Sequence, residues 1–164
     1  MNANLGLTNV FLEKFLLPKC ENFIGVYSVD KIPSHLWKKN CCCIINLSKT
    51  GHPGSHFIAI YINKQNELWY FDSYALPPPI LNTHLMRFLK KWIDQNKIIC
   101  VPSQQIQDFD SLFCGWYTAA FCLFVNLNHP MNFDTLFDKK NLRKNEKIVL
   151  HLVKSLCRKL RNKK

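Results

Sequence analysis

Cys114 is the residue whose sequence context best suits nucleophilic chemistry. It lies where Asp110 or Ser111 can cap a helix formed by the apolar run that follows. That arrangement predicts a thiol in the first turn of a buried helix, where unpaired N–H groups and the positive end of the helix dipole favour the thiolate. Gly115 would let a substrate backbone come close. A buried structural cysteine is the alternative.

A nucleophilic cysteine needs a base and a group that orients the base, and a predicted β-hairpin offers both. His56 heads one apolar run and Asp72 ends the next. A turn over 63–67 would place residues whose numbers sum to about 128 opposite one another, so that His56 and Asp72 meet at the open end. Asp72 could then hold the imidazole tautomer. His52 is the competing base. The alternative for His56 is a histidine at a strand edge whose hydrogen bonds are satisfied and which has no catalytic role.

Gln107 lies seven residues before Cys114. A side-chain amide near the nucleophile can donate a hydrogen bond to the oxyanion of a tetrahedral intermediate, alongside the backbone N–H of Cys114. Gln104 or Gln105 could serve if the loop register differs, and a glutamine in a polar loop can simply be solvated. The prediction therefore depends on the nucleophile, base, acid and amide occurring together.

Hydrophobic periodicity predicts the elements that must position these residues, in the order helix, strands, helix, strand, helix, helix. Thr8 or Asn9 can cap the first helix and Pro18 ends it. Leu81 is predicted on the apolar stripe of the second helix, and 98–101 as a buried strand. The predicted elements are helix 10–17, strands 41–47, 57–62 and 68–72, helix 81–92, strand 98–101, helix 112–125 and a C-terminal helix. Strands flanked by helices predict one α+β domain over 1–164.

The positive charge is concentrated at the C-terminus. The chain has 22 Lys+Arg against 11 Asp+Glu, and residues 139–164 hold eleven of the basic residues and one acid. Apolar residues at helical spacing predict a stripe that docks on the body. Its members are Val149, Leu152, Val153, Leu156, Cys157 and Leu160. The residues predicted to contact DNA from the other side are Lys147, Lys154, Arg158 and Arg161. A solvated face, an acidic partner and a membrane face are the alternatives.

Composition excludes several classes of protein. With 48% hydrophobic residues, 5 Gly and 8 Pro, the chain is not disordered or collagenous. The eight cysteines form no CxxC pair, and Cys41, Cys42 and Cys43 cannot ligate one metal because neighbours in a strand face opposite ways. A polar start without a signal peptide predicts reduced thiols inside a cell. The longest apolar run, 112–125, is shorter than the ~20 residues a membrane span needs.

The order His, acid, Gln and Cys-Gly in GSHFIAIYI, LWYFDSYALPPP and IQDFDSLFCGWY resembles the adenain family. That family comprises the adenovirus endopeptidase and its relatives in virophages and Polinton-type elements, and more distantly the ubiquitin-like-protein-specific proteases. FIGVYSVDKIP is similar to the adenain opening FxGxxxxxxP, CCCIINLSKTG to the strand and loop before the catalytic His, and HPMNFDTLF to the segment after the catalytic helix.

The resemblance implies a papain-like fold, with a central mixed sheet flanked by helices and the catalytic Cys at a buried helix N-terminus. It makes Cys114 the nucleophile, His56 the general base and acid, Asp72 the orienting acid and Gln107 an oxyanion-hole donor. Phe57 stands where adenains usually have Trp, and Asp72 where the adenovirus enzymes have Glu. Both changes keep the chemistry.

The resemblance also implies a cysteine endopeptidase that cleaves capsid or core precursor proteins during particle maturation. No metal or cofactor is required for the chemistry, but DNA or a short viral peptide could activate the enzyme. Cys100 lies roughly where a cysteine that bonds such a peptide would be expected, although its interval to Cys114 differs. We expect a monomer without membrane contact, found in the virion and the infected cell, in the nucleus or a cytoplasmic virus factory, and not secreted.

Two other functions are compatible with these residues. One is a deubiquitinating or deSUMOylating isopeptidase of the same clan. The other is a non-catalytic, DNA-binding capsid-associated protein in which the four catalytic-looking residues are vestigial and the basic C-terminal helix is functional.

Overall fold

The computed structural model describes residues 6–33 and 38–162, so both ends of the domain predicted over 1–164 lie outside the described residues. The predicted elements occur in the predicted order, and one further strand, Phe23–Ser28, was not predicted. The helices are α1 (Asn9–Leu16), α2 (Thr83–Ile93), α3 (Cys114–Val125) and α4 (Leu142–Arg161). The strands are β1 (Phe23–Ser28), β2 (Cys41–Asn46), β3 (Phe57–Ile62), β4 (Leu68–Phe71) and β5 (Ile98–Val101).

The five strands form one mixed sheet in the order in which they occur in the chain. The pairs β1–β2 and β4–β5 are parallel, whereas β2–β3 and β3–β4 are antiparallel. Because successive side chains of a strand face opposite sides, the apolar central strands present one set of residues to each face. One face packs against α1, α3 and α4, and the other against α2. The predicted α+β fold, with a mixed sheet flanked by helices, is confirmed.

Helix α3 is buried along its length, from Gly115 to Val125. It is apolar on all sides because it packs against both the sheet and α4. Helix α4 contributes the predicted stripe, of which Val149, Val153 and Leu156 are buried. Helix α3 is therefore held between the sheet and α4.

Two elements differ in detail from expectation. Helix α2 begins at Thr83 with Asn82 as its cap, so Leu81 lies before the helix and is 96% exposed. Strand β5 is an edge strand, with Cys100 exposed rather than buried. Within the described residues, no helix is long and apolar enough to cross a membrane.

Candidate active site

His56 and Asp72 meet at the open end of the β3–β4 hairpin. His56 Nε2 lies 2.8 Å from Asp72 Oδ1. The His56 side chain is 13% exposed and that of Asp72 is 4% exposed. A short hydrogen bond to a carboxylate that is shielded from water is stronger than an exposed ion pair. The carboxylate therefore fixes the orientation of the imidazole.

The hairpin register is shifted by two residues from the predicted one. Ala59 pairs with Phe71. Continuing this register along the strands places Tyr74, and not Asp72, opposite His56. The Tyr74 and His56 rings are stacked, with centroids 4.6 Å apart and an interplanar angle of 19°. Asp72 thus reaches the imidazole from the diagonal position.

Cys114 is the first residue of α3, within the predicted first turn, but the predicted cap is wrong. Phe113 occupies the N-cap position, and no side chain caps the helix. Ser111 Oγ instead accepts a hydrogen bond from the Phe113 N–H at 3.3 Å. The positive end of the helix dipole therefore lies at the half-buried thiol. That thiol lines a cleft of about 790 Å³.

The charge state of His56 is set by its neighbours. Burial by itself lowers the pKa of His56, but the hydrogen bonds and charges of Asp72 and Cys114 raise that pKa to about 9. Asp72 occupies Nε2, and the buried Nδ1 has no hydrogen-bond partner among the described residues other than the Cys114 thiol. Nδ1 is therefore the nitrogen available to exchange a proton with Cys114. His52, the competing base, is exposed in the loop before β3.

The other seven cysteines are poor nucleophiles. Burial raises the pKa of each of their thiols, to about 12 for Cys20 and about 11 for Cys41. The same cause acts on the remaining five, which are Cys42, Cys43, Cys100, Cys122 and Cys157. Because the thiolate is the reactive species, these residues should react slowly near neutral pH.

Gln107 is fully buried between the hairpin and the loop before α3. Its Oε1 accepts a hydrogen bond from Ser73 Oγ at 2.6 Å. Its Nε2 donates to the Ser111 carbonyl oxygen at 2.8 Å and to the Tyr74 hydroxyl oxygen at 3.2 Å. Gln105, one of the alternatives, donates to the Gln107 backbone carbonyl. The predicted amide therefore lies in the site, with both of its N–H groups already bonded.

Gly115 has a packing role that the sequence did not predict. A Cβ at this position would lie 2.9 Å from the Leu7 Cβ. The glycine therefore makes room for the segment before α1, which packs on the head of α3 and lines the cleft. The close approach of a substrate backbone to Gly115 stays a prediction.

The basic residues of α4 lie on its exposed side, opposite the buried stripe. All four residues predicted to contact DNA are exposed: Lys147, Lys154, Arg158 and Arg161. Among the described residues, no group of three or more His, Cys, Asp or Glu side chains could hold a metal ion.

Sequence reasoning missed Tyr74 and Ser73, and it named Ser111 only as a possible helix cap. All three have side chains or backbone groups that hold the base or the amide. The available signal was their position, since Ser73 and Tyr74 directly follow Asp72 and Ser111 lies three residues before Cys114.

No protein-family model and no curated protein matches the chain. Among solved structures, the ASFV pS273R protease aligns over 68% of this chain and 42% of its own, with 17% identity and a TM-score of 0.48. The chain thus spans less than half the length of that protease. The SUMO protease Ulp1, with its catalytic cysteine oxidised to a sulfenic acid, aligns over 94% of this chain and 80% of its own, with 14% identity and a TM-score of 0.50. The chain has the fold of this Ulp1-type cysteine protease.

Proposed function

We propose that this chain is a cysteine endopeptidase that cleaves capsid or core precursor proteins of a virus or mobile element during particle maturation. The observation that carries the proposal is the 2.8 Å contact of His56 with Asp72, next to a cysteine at the head of a buried helix. The substrate class rests on the resemblance of the motifs to the adenain family. The proposed places of action are the particle and the nucleus or virus factory of the infected cell.

The geometry supports acyl transfer through a thioester. The Cys114 thiolate attacks the scissile carbonyl carbon, a C–S bond forms, and the π electrons move onto the oxygen. The intermediate collapses, the C–N bond breaks, and His56 gives the Nδ1 proton to the leaving amine. Water then attacks the thioester while His56 accepts its proton, and the thiolate leaves. Asp72 holds the ring throughout and stabilises the imidazolium.

Selective alkylation tests this proposal without knowledge of the substrate. With iodoacetamide near neutral pH, Cys114 should react first, and His56→Ala should slow that reaction about 10-fold or more because an unpaired thiol is only a few per cent ionised at pH 7. Mass spectrometry after short exposure identifies the labelled cysteine. Eight equally slow thiols would instead support a non-catalytic, DNA-binding capsid-associated protein.

A second candidate is a deubiquitinating or deSUMOylating isopeptidase, because Ulp1, which shares this fold, is a SUMO protease. Ubiquitin and SUMO carrying a C-terminal fluorescent reporter should be poor substrates if the endopeptidase proposal is right. Rapid release of the reporter, with no cleavage of capsid-precursor peptides, would favour the isopeptidase.

The basic side of α4 is proposed to hold the enzyme on DNA, which would bring it to substrates confined in the same particle. The test variant reverses Lys147, Lys154, Arg158 and Arg161 to Glu. We expect its affinity for duplex DNA at low salt to fall about 10-fold or more, with a shallower salt dependence, because fewer counterions are released. Fluorescence anisotropy measures both quantities.

The matched control changes the net charge equally on other exposed lysines of the chain. It reverses Lys38, Lys39, Lys64 and Lys97 to Glu. The control should bind DNA better than the α4 variant, and equal losses of affinity would mean that net charge, not α4, determines binding.

We also propose, on the family resemblance alone, that DNA or a viral peptide activates the enzyme. Cys100, which is exposed, would be the cysteine that bonds such a peptide.

A further inference from the structure

Asn145 is a buried polar residue on the side of α4 that is otherwise apolar. It is 0% exposed and lies four residues before Val149, at the start of the buried stripe that continues through Val153 and Leu156. Asparagine is a poor residue inside a helix, and burying its amide costs free energy unless the polar atoms are hydrogen-bonded. An aliphatic residue would suit the stripe better, so the role of Asn145 lies in the bonds of its amide.

The amide of Asn145 makes three hydrogen bonds, each of 2.8 Å. Its Oδ1 accepts from the Asp138 N–H, and its Nδ2 donates to the Asp138 carbonyl, which closes the turn before α4. The second Nδ2 proton goes to the carbonyl of Ile106, 39 residues away in the chain. This last bond ties α4 to the Gln107 loop, by which we mean residues 102–113 between β5 and α3.

The peptide group between Ile106 and Gln107 is held at both ends. Its carbonyl accepts from Asn145 and, at 3.2 Å, from the Tyr117 hydroxyl of α3. Its N–H donates to the Ser73 carbonyl at 3.1 Å. Ile106 and Gln107 are both 0% exposed. The backbone from which the Gln107 side chain starts is therefore fixed by α3, by α4 and by the residue that follows Asp72 in the hairpin.

The Gln107 side chain can give one of its two N–H groups to an oxyanion. Its Nε2 donates to the Ser111 carbonyl at 2.8 Å and to the Tyr74 hydroxyl at 3.2 Å. The longer bond is the weaker of the two, and Tyr74 lines the cleft together with Cys114. Exchanging that bond for one to an oxyanion requires the amide to lie at a defined place, because a displacement of about 1 Å can cost about 10²-fold in rate.

We propose that Asn145 is a positioning residue of the peptidase, and that through the Ile106 carbonyl it holds the Gln107 amide where the oxyanion forms. This inference rests on the proposed function and on Gln107 as the side-chain donor of the oxyanion hole. When the Cys114–carbon bond forms, the π electrons move onto the carbonyl oxygen, and the Gln107 N–H donates to that oxygen without transferring its proton. Helix α4 is then part of the catalytic apparatus as well as the carrier of the basic side.

Asn145→Ala tests the inference when it is made in two backgrounds. In the wild-type background, we expect kcat for a cleaved precursor peptide to fall about 10-fold with KM unchanged, because an oxyanion hole acts only in the transition state. In the Gln107→Ala background, kcat is already about 10²-fold lower, and Asn145→Ala should lower it less than about 2-fold further. Alkylation of Cys114 by iodoacetamide forms no oxyanion, so its rate should match that of the wild type in every variant.

Asn141→Ala is the matched control, because Asn141 caps the same end of α4 and its side chain bonds only to the Lys144 N–H among the described residues. It should keep the wild-type kcat. Tyr117→Phe is a second test variant, since it removes the other side-chain donor to the Ile106 carbonyl and leaves α4 intact. It should lower kcat in the wild-type background only, as Asn145→Ala does. Circular dichroism checks the fold of each variant, and if Asn145→Ala does not fold, the same comparison with Tyr117→Phe decides.

Equal fold-losses of kcat in the two backgrounds would overturn the inference, since Asn145 would then act independently of Gln107. An unchanged kcat in Asn145→Ala, or an equal loss in Asn141→Ala, would overturn it as well. If Gln107→Ala itself keeps the wild-type kcat, Gln107 is not the donor, and the inference is wrong while the peptidase function stands. A wild-type protein that cleaves no peptide would instead contradict the proposed function.

Discussion

Cys114→Ala is expected to reduce the cleavage of a precursor peptide to the uncatalysed background, a loss on the order of 10⁵-fold or more. The reason is that Cys114 supplies the sulfur atom of the thioester. His56 and Asp72 have no function in acyl transfer without it. The seven other thiols cannot substitute, since burial raises the pKa of each one. Mass spectrometry of the peptide products measures the loss.

Cys157→Ala is the matched control, because Cys157 is also half-buried but lies on α4. It should cleave the peptide at close to the wild-type rate. Circular dichroism of both variants checks that the fold is kept, which we expect because Cys114 is only partly buried. Cleavage by Cys114→Ala at the wild-type rate would exclude the thioester mechanism and the proposed function with it.

The parts of the site that lie on regular elements could be predicted from the sequence. Helix α3 and strands β3 and β4 carry long apolar patterns bounded by polar turns, so their residues could be placed to within two positions. The amphipathic period of α4 likewise predicted its buried stripe. Local patterns were sufficient here because burial of each element depends on its own side chains.

The hairpin register could not be predicted by the same reasoning. A shift of one residue would turn every side chain to the wrong face, but a shift of two keeps the faces unchanged. The apolar pattern of β3 and β4 therefore fits both the expected register and the observed one. The difference decides that Tyr74, and not Asp72, lies opposite His56.

Contacts between distant parts of the chain left no local signal. Leu7 packs where a Gly115 side chain would be, and nothing near either residue indicates the other. Strand β1 was not predicted because it lies at the sheet edge, is only partly buried and contains Gly25 with a φ of 140°. Such a strand lacks the alternation of a half-buried β-strand.

Asp72→Asn is expected to lower kcat about 10⁴-fold, as when the acid of a nucleophile–His–acid triad becomes an amide. The amide of the Asp72→Asn variant can donate a hydrogen bond to Nε2, which moves the ring proton to Nδ1. Nδ1 is the atom that must accept the proton of Cys114.

Asp72 also helps to raise the pKa of His56 to about 9. The imidazolium that protonates the leaving amine should therefore be lost near pH 9 in the wild type and at lower pH in the variant. The alkaline limb of kcat/KM measures this shift, and Asp94→Asn, on an exposed ion pair with Lys90, is the control.

The same pair can be tested through stability, which requires no substrate. The pKa of His56 is raised from 6.5 to about 9 in the folded protein. Its contribution to the free energy of unfolding is therefore complete below about pH 6.5 and is lost as the pH rises through about 9. Urea unfolding at pH 6 and pH 10 should show a larger loss of stability in the wild type than in Asp72→Asn. Equal losses would mean that Asp72 does not stabilise a charged His56, and that the raised pKa must come from Cys114.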